Sequence, residues 1–290
     1  MKLVTIDAGN GPVAAVEVDG GYVTLESLGF PRSMRACLAG GLSVLTSVRD
    51  RAQRAAPDVS TDQARLLPPV PDPHKIICVG LNYRDHAIES GAPIPDEPVL
   101  FCKLPNTLVG PGEAIVLPPV SEQVDYEAEL VIVIGRGGRF IPKDRAREHV
   151  AGFTCGHDVS ARDWQLHKPG KQWLCGKSFD TFAPTGPAIV PADELDPHNL
   201  PIRLRLNGET MQDSNTREFI FKVEELVAYV SQVFTLEPGD LIFTGTPPGV
   251  GFARRPPVFL KPGDRCEVEI EGIGVLVNPV VAGSAEYRVL

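Results

Sequence analysis

Two carboxylates stand two residues apart in "VDYEAELVIVIG" (124–135), Glu127 and Glu129. The β-branched run Val131 to Ile134, closed by a glycine, marks a strand running into a turn. Side chains alternate along a strand, so both acids project from one face. Residues 130–134 are apolar on both faces, the pattern of a central strand, and acids buried there must pair or bind a cation. Two ionised carboxylates repel unless one is protonated or an ion lies between them, and oxygen ligands suit a hard divalent ion. Asp158, ending the strand-like run in "GFTCGHDVSARDW" (152–164), is the candidate third ligand. Glu267 and Glu269 in "CEVEIEG" lack an apolar continuation and read as surface acids. His157 beside Asp158 does not have the spacing of a two-histidine, one-carboxylate iron site, and it reads as structural.

"GLNYRDHAIESG" (80–91) supplies a second constellation, because His86 and Glu89 are three apart and share one face of a helical turn. There the carboxylate can orient the imidazole and raise its basicity; an exposed ion pair is the plainer alternative. Lys177 lies in "LCGKSFDTFAPTG" (174–186), a stretch rich in glycine and aromatics, where a lysine can act as an electrostatic catalyst or simply reach the surface. In "DLIFTGTPPGVG" (240–251) Pro247 and Pro248 forbid a helix, leaving the amides of Thr246, Gly249, Val250 and Gly251, with the Thr246 hydroxyl, able to hold an anion.

The elements that must position these groups are mostly strands: "KIICVG", "PVLFCK", "AIVLPP", "ELVIVIG", "IRLRLNG", "DLIFTG" and "RCEVEIEGIGVLV". The best helical pattern is "KVEELVAYVSQVF" (222–234); a short helix over 160–167 would be capped by Ser160. "IGRGGRF" (134–140) reads as a hairpin turn. Regular β-α-β alternation is missing, which predicts an α+β fold built on a mixed sheet. A hairpin signal at Asp19–Gly21 and a helix in "SVLTSVRDRAQRAA" (43–56) form a small N-terminal unit. The stretch "PDVSTDQARLLPPVPDP" (57–73), with five prolines, reads as an extended connection without a helix. Residues 1–69 are therefore expected as a small domain with its linker, and 70–290 as the catalytic domain.

Lys plus Arg total 28 against 37 for Asp plus Glu, a net charge of -9, with no basic tract for nucleic acid. No signal-peptide pattern and no membrane-length apolar run is present, so a soluble, cytoplasmic protein with no membrane partner is expected. Six cysteines without a C-x-x-C pair read as buried, reduced thiols.

In order along the chain, "CVGLNYRDHAIE", "DYEAELVIVIG", "GHDVSARDWQ", "GKSFDTFAPTGP", "LNGETMQDSNTREFIF" and "TGTPPGVG" resemble the fumarylacetoacetate hydrolase family, over about residues 70–280. The likeness is to the branch described as domain-containing proteins rather than to the tyrosine-degrading enzyme. The resemblance implies a mixed β-sheet roll, a homodimer, and Glu127, Glu129 and Asp158 as ligands of Mg²⁺ or Mn²⁺. It further implies His86 with Glu89 as the base pair, Lys177 as stabiliser of negative charge, and Gln165 and Thr246 as substrate contacts. A further metal-binding aspartate of the tyrosine-pathway enzyme has no counterpart near Cys78 and Val79, which points away from fumarylacetoacetate as the substrate. The expected substrate is a small 2-oxo acid. The expected reaction is hydrolysis of a carbon-carbon bond in acylpyruvate-type 2,4-dioxo acids, through a pyruvate enolate held at the ion. Oxaloacetate decarboxylation, hydroxy-dienoate isomerisation, sugar-acid dehydration and non-catalytic binding of a 2-oxo acid are the alternatives. The loop "SGAPIPDEP" (90–98) is a candidate lid over the site.

Overall fold

A computed structural model describes residues 1–286; the last four residues of the expected catalytic domain lie outside the described residues. The N-terminal strands are β1 (Lys2–Asp7), β2 (Val13–Val18), β3 (Gly21–Thr24), β4 (Val59–Ser60) and β5 (Arg65–Leu67). Between β3 and β4 lie helices α1 (Met34–Leu38) and α2 (Gly41–Ala52). Then follow β6 (Ile76–Val79), α3 (Arg84–Ser90), β7 (Leu100–Lys103), β8 (Leu108–Val109), β9 (Ile115–Leu117), β10 (Val124–Asp125), β11 (Ala128–Ile134), β12 (Val150–His157) and β13 (Ser160–Ala161). The chain continues through α4 (Trp173–Lys177), β14 (Ala183–Pro191), β15 (Pro201–Leu206), β16 (Glu209–Asn215), α5 (Val223–Val233), β17 (Leu241–Phe243), β18 (Arg265–Ile270) and β19 (Gly274–Ala282).

One mixed sheet runs β4-β3-β2-β1-β14-β12-β11-β17-β6-β7, with β5 on β1 and β8 on β14. A second runs β16-β15-β18-β19-β9. β11 is central, paired antiparallel to β12 and to β17, while β17 and β6 run parallel. The two-faced apolar character of β11 has a direct cause. Leu130, Ile132 and Ile134 pack with Ile202 and Leu204 of β15, Val268 of β18 and Val227 of α5. Val131 and Val133 instead meet Met34, Leu38, Leu45 and Val48 of α1 and α2. Each such side chain, fully buried, favours the fold by about 1.5–3 kcal/mol. The ledge that carries the acids is therefore rigid.

The hairpin at Asp19–Gly21 and the helices over 43–56 and 222–234 are present, the first helix starting two residues earlier and ending at Ala52. Residues 1–69 share the large sheet with the rest of the chain, because β1 pairs with β14 at Leu3↔Ile189. Five local expectations need correction. Residues 57–73 are not a plain extended connection: a capping box at Ser60 starts a 3-10 turn over Thr61–Gln63, and β5 pairs with β1. Ser160 caps no helix. It pairs with Asp125 across β10 and β13 and donates its hydroxyl to the Asp158 carbonyl (2.9 Å), and the helical turn that follows, Asp163–His167, has π geometry. The link after Ile134 is no tight turn, since a 3-10 segment (Lys143–His149) intervenes before β12. Cys102 and Cys175 are exposed, the other four cysteines buried, and all six are free thiols. Glu267 and Glu269 sit half-buried against Arg205 (2.9 and 2.6 Å), less exposed than a surface reading implies.

Candidate active site

Register brings the three acids together. Ala128 lies opposite His157 on paired strands, and the Asp158 amide donates to the Glu127 carbonyl (2.9 Å). All three side chains are buried, and one ligand atom from each lies within 4.8 Å of the others. Three oxygen donors of this charge can hold a divalent ion. The local electrostatics show why one suits them. Burial, then the charges of Asp158 and Glu127, push the Glu129 carboxyl well above the usual range, and its only hydrogen bond among the described residues comes from the Gly245 amide (2.8 Å). Burial acts the same way on Glu127, but Lys177 and Arg162 more than offset it and hold that group below the usual carboxylate range.

Lys177 ends α4 as a buried ammonium that donates to Glu127 Oε2 (2.8 Å) and Asp158 Oδ2 (2.7 Å). Burial would lower its pKa; the two carboxylates reverse the direction and raise it. The glycine before it is required by contact, because a Cβ on Gly176 would come within 2.6 Å of the Gln165 backbone nitrogen. A second buried lysine, Lys103 at the end of β7, stands 2.7 Å from Asp158 Oδ1. Its three N–H groups are aimed at the carbonyls of Val159, Lys177 and Phe182 (2.6–2.9 Å), so Oδ1 feels the charge while its lone pairs stay open. Burial and Lys177 together lower the Lys103 pKa. Beside this array His157 is buried with neither ring nitrogen partnered among the described residues, and burial with the nearby Lys103 charge drops its pKa to about 3.

His86 Nδ1 meets Glu89 Oε2 at 3.0 Å on α3, and the imidazole lines a cavity of about 270 Å³ together with Glu127, Glu129, Gln165, Lys177 and Thr246. The sequence-predicted residues thus converge, with Glu89 behind His86. Clefts of about 340 and 440 Å³ open near the N-terminal strands, but neither holds the carboxylate group. Phe101, Trp173 and Phe252 give the smaller cavity its apolar wall. Ser90 and Ala92, at the start of the 90–98 loop, also line it.

The expected anion nest at 246–251 needs correction at two of its four amides, which already serve the protein's own carboxylates: Gly249 donates to Glu89 Oε1 (2.9 Å) and Gly251 to Asp125 Oδ1 (2.7 Å). Gly249 has φ +102°, and a Cβ there would lie 2.1 Å from the Met211 carbonyl. Thr246 donates its hydroxyl to the Ala128 carbonyl (2.9 Å) and accepts from Gln212 Nε2 (2.9 Å). Gln165 Oε1 accepts from Arg162 Nη1 (2.9 Å), and Arg162 also binds Asp125 and Glu127. Nothing in the sequence singles out Lys103, Asp125 or Arg162. The one signal is a charge closing an apolar run or lying inside a motif already rich in acids.

A mixed β-sheet architecture carries a buried Glu-Glu-Asp group that could hold a divalent ion beside a His–Glu pair, and residues 75–281 match the model of the fumarylacetoacetate (FAA) hydrolase C-terminal family. The chain belongs to the fumarylacetoacetate hydrolase family. It is 50% identical over 288 residues to the mitochondrial oxaloacetate tautomerase FAHD2A of Bos taurus (97% of this chain, 92% of that protein) and 48% identical to the Homo sapiens counterpart over the same shares. Among solved structures, maleylpyruvate hydrolase from Sphingobium sp. SYK-6, in complex with manganese (II) ion and pyruvate, superposes with a TM-score of 0.81 at 30% identity (98% of this chain, 100% of that one). A 5-carboxymethyl-2-hydroxymuconate delta-isomerase from Mycobacterium smegmatis superposes with a TM-score of 0.77 at 36% identity, with the same coverage. Family members are enzymes: hydrolases, isomerases and tautomerases of small acids. The cytoplasmic placement expected from the sequence is overturned by the two oxaloacetate tautomerases named above, whose names place them in mitochondria.

Proposed function

We propose that this protein is a divalent-metal-dependent tautomerase that interconverts the keto and enol forms of oxaloacetate or a closely similar 2-oxo dicarboxylate. The observation that carries the reading is a His86–Glu89 pair opening into the same cavity as the buried acids, in a chain that matches oxaloacetate tautomerases at about half of its positions. Glu127, Glu129 and Asp158 would hold Mg²⁺ or Mn²⁺, which would supply Lewis-acid polarisation of a 2-oxo group and a seat for the neighbouring carboxylate.

The chain's own residues perform the proton work. Glu89 fixes the imidazole through Nδ1 and steadies the charge that develops on it, which leaves Nε2 to take a proton from C3 of the keto form and deliver it to the 2-oxo oxygen, giving the enol; the reverse transfer, from the enol hydroxyl to C3, restores the keto form. The Lys177 ammonium balances the negative charge that builds on the substrate oxygen, in a cavity whose aromatic wall limits water. Gln165 and Thr246 contact the substrate, and the 90–98 loop closes over it. The working assembly is a homodimer.

Hydrolysis of an acylpyruvate is the second reading, favoured by the likeness to a maleylpyruvate hydrolase; His86 would then deprotonate water instead of C3. Decarboxylation of oxaloacetate passes through the same enolate. Following enol absorbance and pyruvate release in parallel, with Mg²⁺ or Mn²⁺ and with a chelator, separates these reactions. Metal-dependent enol loss without pyruvate supports the tautomerase; pyruvate appearing as fast as the enol decays overturns it.

A further inference from the structure

Asp125, two residues before Glu127, is fully buried and does not line the cavity. Its Oδ1 accepts from the amides of Tyr126 (2.8 Å) and Gly251 (2.7 Å), and its Oδ2 accepts from the Phe252 amide (3.1 Å) and from Arg162 Nε (2.8 Å). The loop can approach so closely because residue 251 is glycine; a Cβ there would lie 2.5 Å from Oδ1. The guanidinium is also stacked on the Phe252 ring at 4.6 Å, which fixes its plane. From that plane Nη2 reaches Glu127 Oε1 (2.6 Å) and Nη1 reaches Gln165 Oε1 (2.9 Å). Arg162 can only donate, so the carboxamide oxygen of Gln165 must face it and Nε2 must face away. None of the described residues accepts from Nε2, and Gln165 borders the cavity.

We propose that Asp125 is a positioning residue for the reaction: acting through Arg162, it holds the Gln165 amide as a donor aimed at an anionic oxygen of the bound 2-oxo acid. The inference rests on the 2-oxo acid reading of the site. In Asp125→Asn an N–H group replaces one acceptor, so either the guanidinium or the loop amides face a donor. With its anchor gone, the guanidinium no longer fixes the amide, and Gln165 can turn its oxygen toward the substrate and repel it.

A double-mutant cycle tests this on the full chain loaded with Mg²⁺. Oxalate, which carries the paired oxygens of a 2-oxo acid, serves as the calorimetric probe. Asp125→Asn and Gln165→Ala should each weaken oxalate binding by about tenfold or more, and the double variant should bind no more weakly than the worse single one. Additive losses would overturn the proposal, as would an unchanged Gln165→Ala or a wild type that does not bind oxalate. If circular dichroism shows Asp125→Asn unfolded, Arg162→Lys takes its place, keeping the charge but losing the fork. The same non-additivity with Gln165→Ala is then expected, and additivity again contradicts the idea. Coupled losses in a protein that fails to interconvert oxaloacetate tautomers would support the positioning role while refuting the reaction.

Discussion

At the scale of single residues the site is a balance of buried charges: four acids, Asp125 among them, against two lysines and an arginine. Glu129 and Glu127 shift in opposite directions, and that predicts a pH signature. An acid whose folded pKa is raised binds a proton that the unfolded chain has released, so Glu129 makes the metal-free fold less stable as pH rises above the ordinary carboxylate range. Glu127, shifted down, contributes stability above that range that is lost as pH falls through it and below. A dication favours ionised Glu129 and expels its proton. The thermal shift produced by Mn²⁺ should therefore grow with pH; a shift independent of pH would count against Glu129 as a ligand. His86→Ala should lower kcat by about 10²–10⁴-fold while leaving Mn²⁺ affinity nearly unchanged, measured by paramagnetic resonance. Equal losses in both would instead make His86 part of the metal site. Lys177→Met should cost about 3–5 kcal/mol of stability, read from denaturant midpoints, because it strands two buried carboxylates.

Among the elements, the loop from Thr244 to Phe252 links the parts of the site. Its amides at 245, 249 and 251 receive Glu129, Glu89 and Asp125 in turn, tying a candidate metal ligand, the partner of the base and the arginine anchor to one segment. Gly249→Ala should destabilise by about 1–3 kcal/mol through its positive φ and the Met211 carbonyl, and should loosen Glu89. A normal melting temperature with normal kcat would contradict that role. This loop also shows the limit of sequence reading. Its prolines and glycines announce free amides, but not that carboxylates far along the chain would fill them. β11 was legible because its apolar run is long and β-branched. β14, with three prolines in "APTGPAIVP", and polar β16 carry no such signal, and only their sheet neighbours make them strands. Glu129 was legible as a strand residue, but Glu127 falls in the break between β10 and β11, so strand alternation accounts for only part of their pairing. Lys103 was not legible, because its three carbonyl partners come from three separate segments.

For the molecule as a whole, the N-terminal hairpins extend the sheet that carries the site, and α1 and α2 cover one face of β11. Removing residues 1–69 would strip β1 from β14 and bare that face. The remainder is expected to be insoluble or to lose the cooperative unfolding of the full chain; a soluble, cooperatively folded 70–290 fragment would refute this. Of the six thiols, Cys102 and Cys175 should react quickly with a disulfide reagent in the native state, while burial pushes the Cys37 thiol up to about 11 and raises Cys78, Cys155 and Cys266 as well. The most direct check of the whole account is anomalous diffraction at the manganese edge from crystals soaked in Mn²⁺. One peak within coordinating distance, about 2.0–2.3 Å, of carboxylate oxygens from Glu127, Glu129 and Asp158 together is the expected result. Density elsewhere, or a peak that Asp158 does not reach, would contradict it.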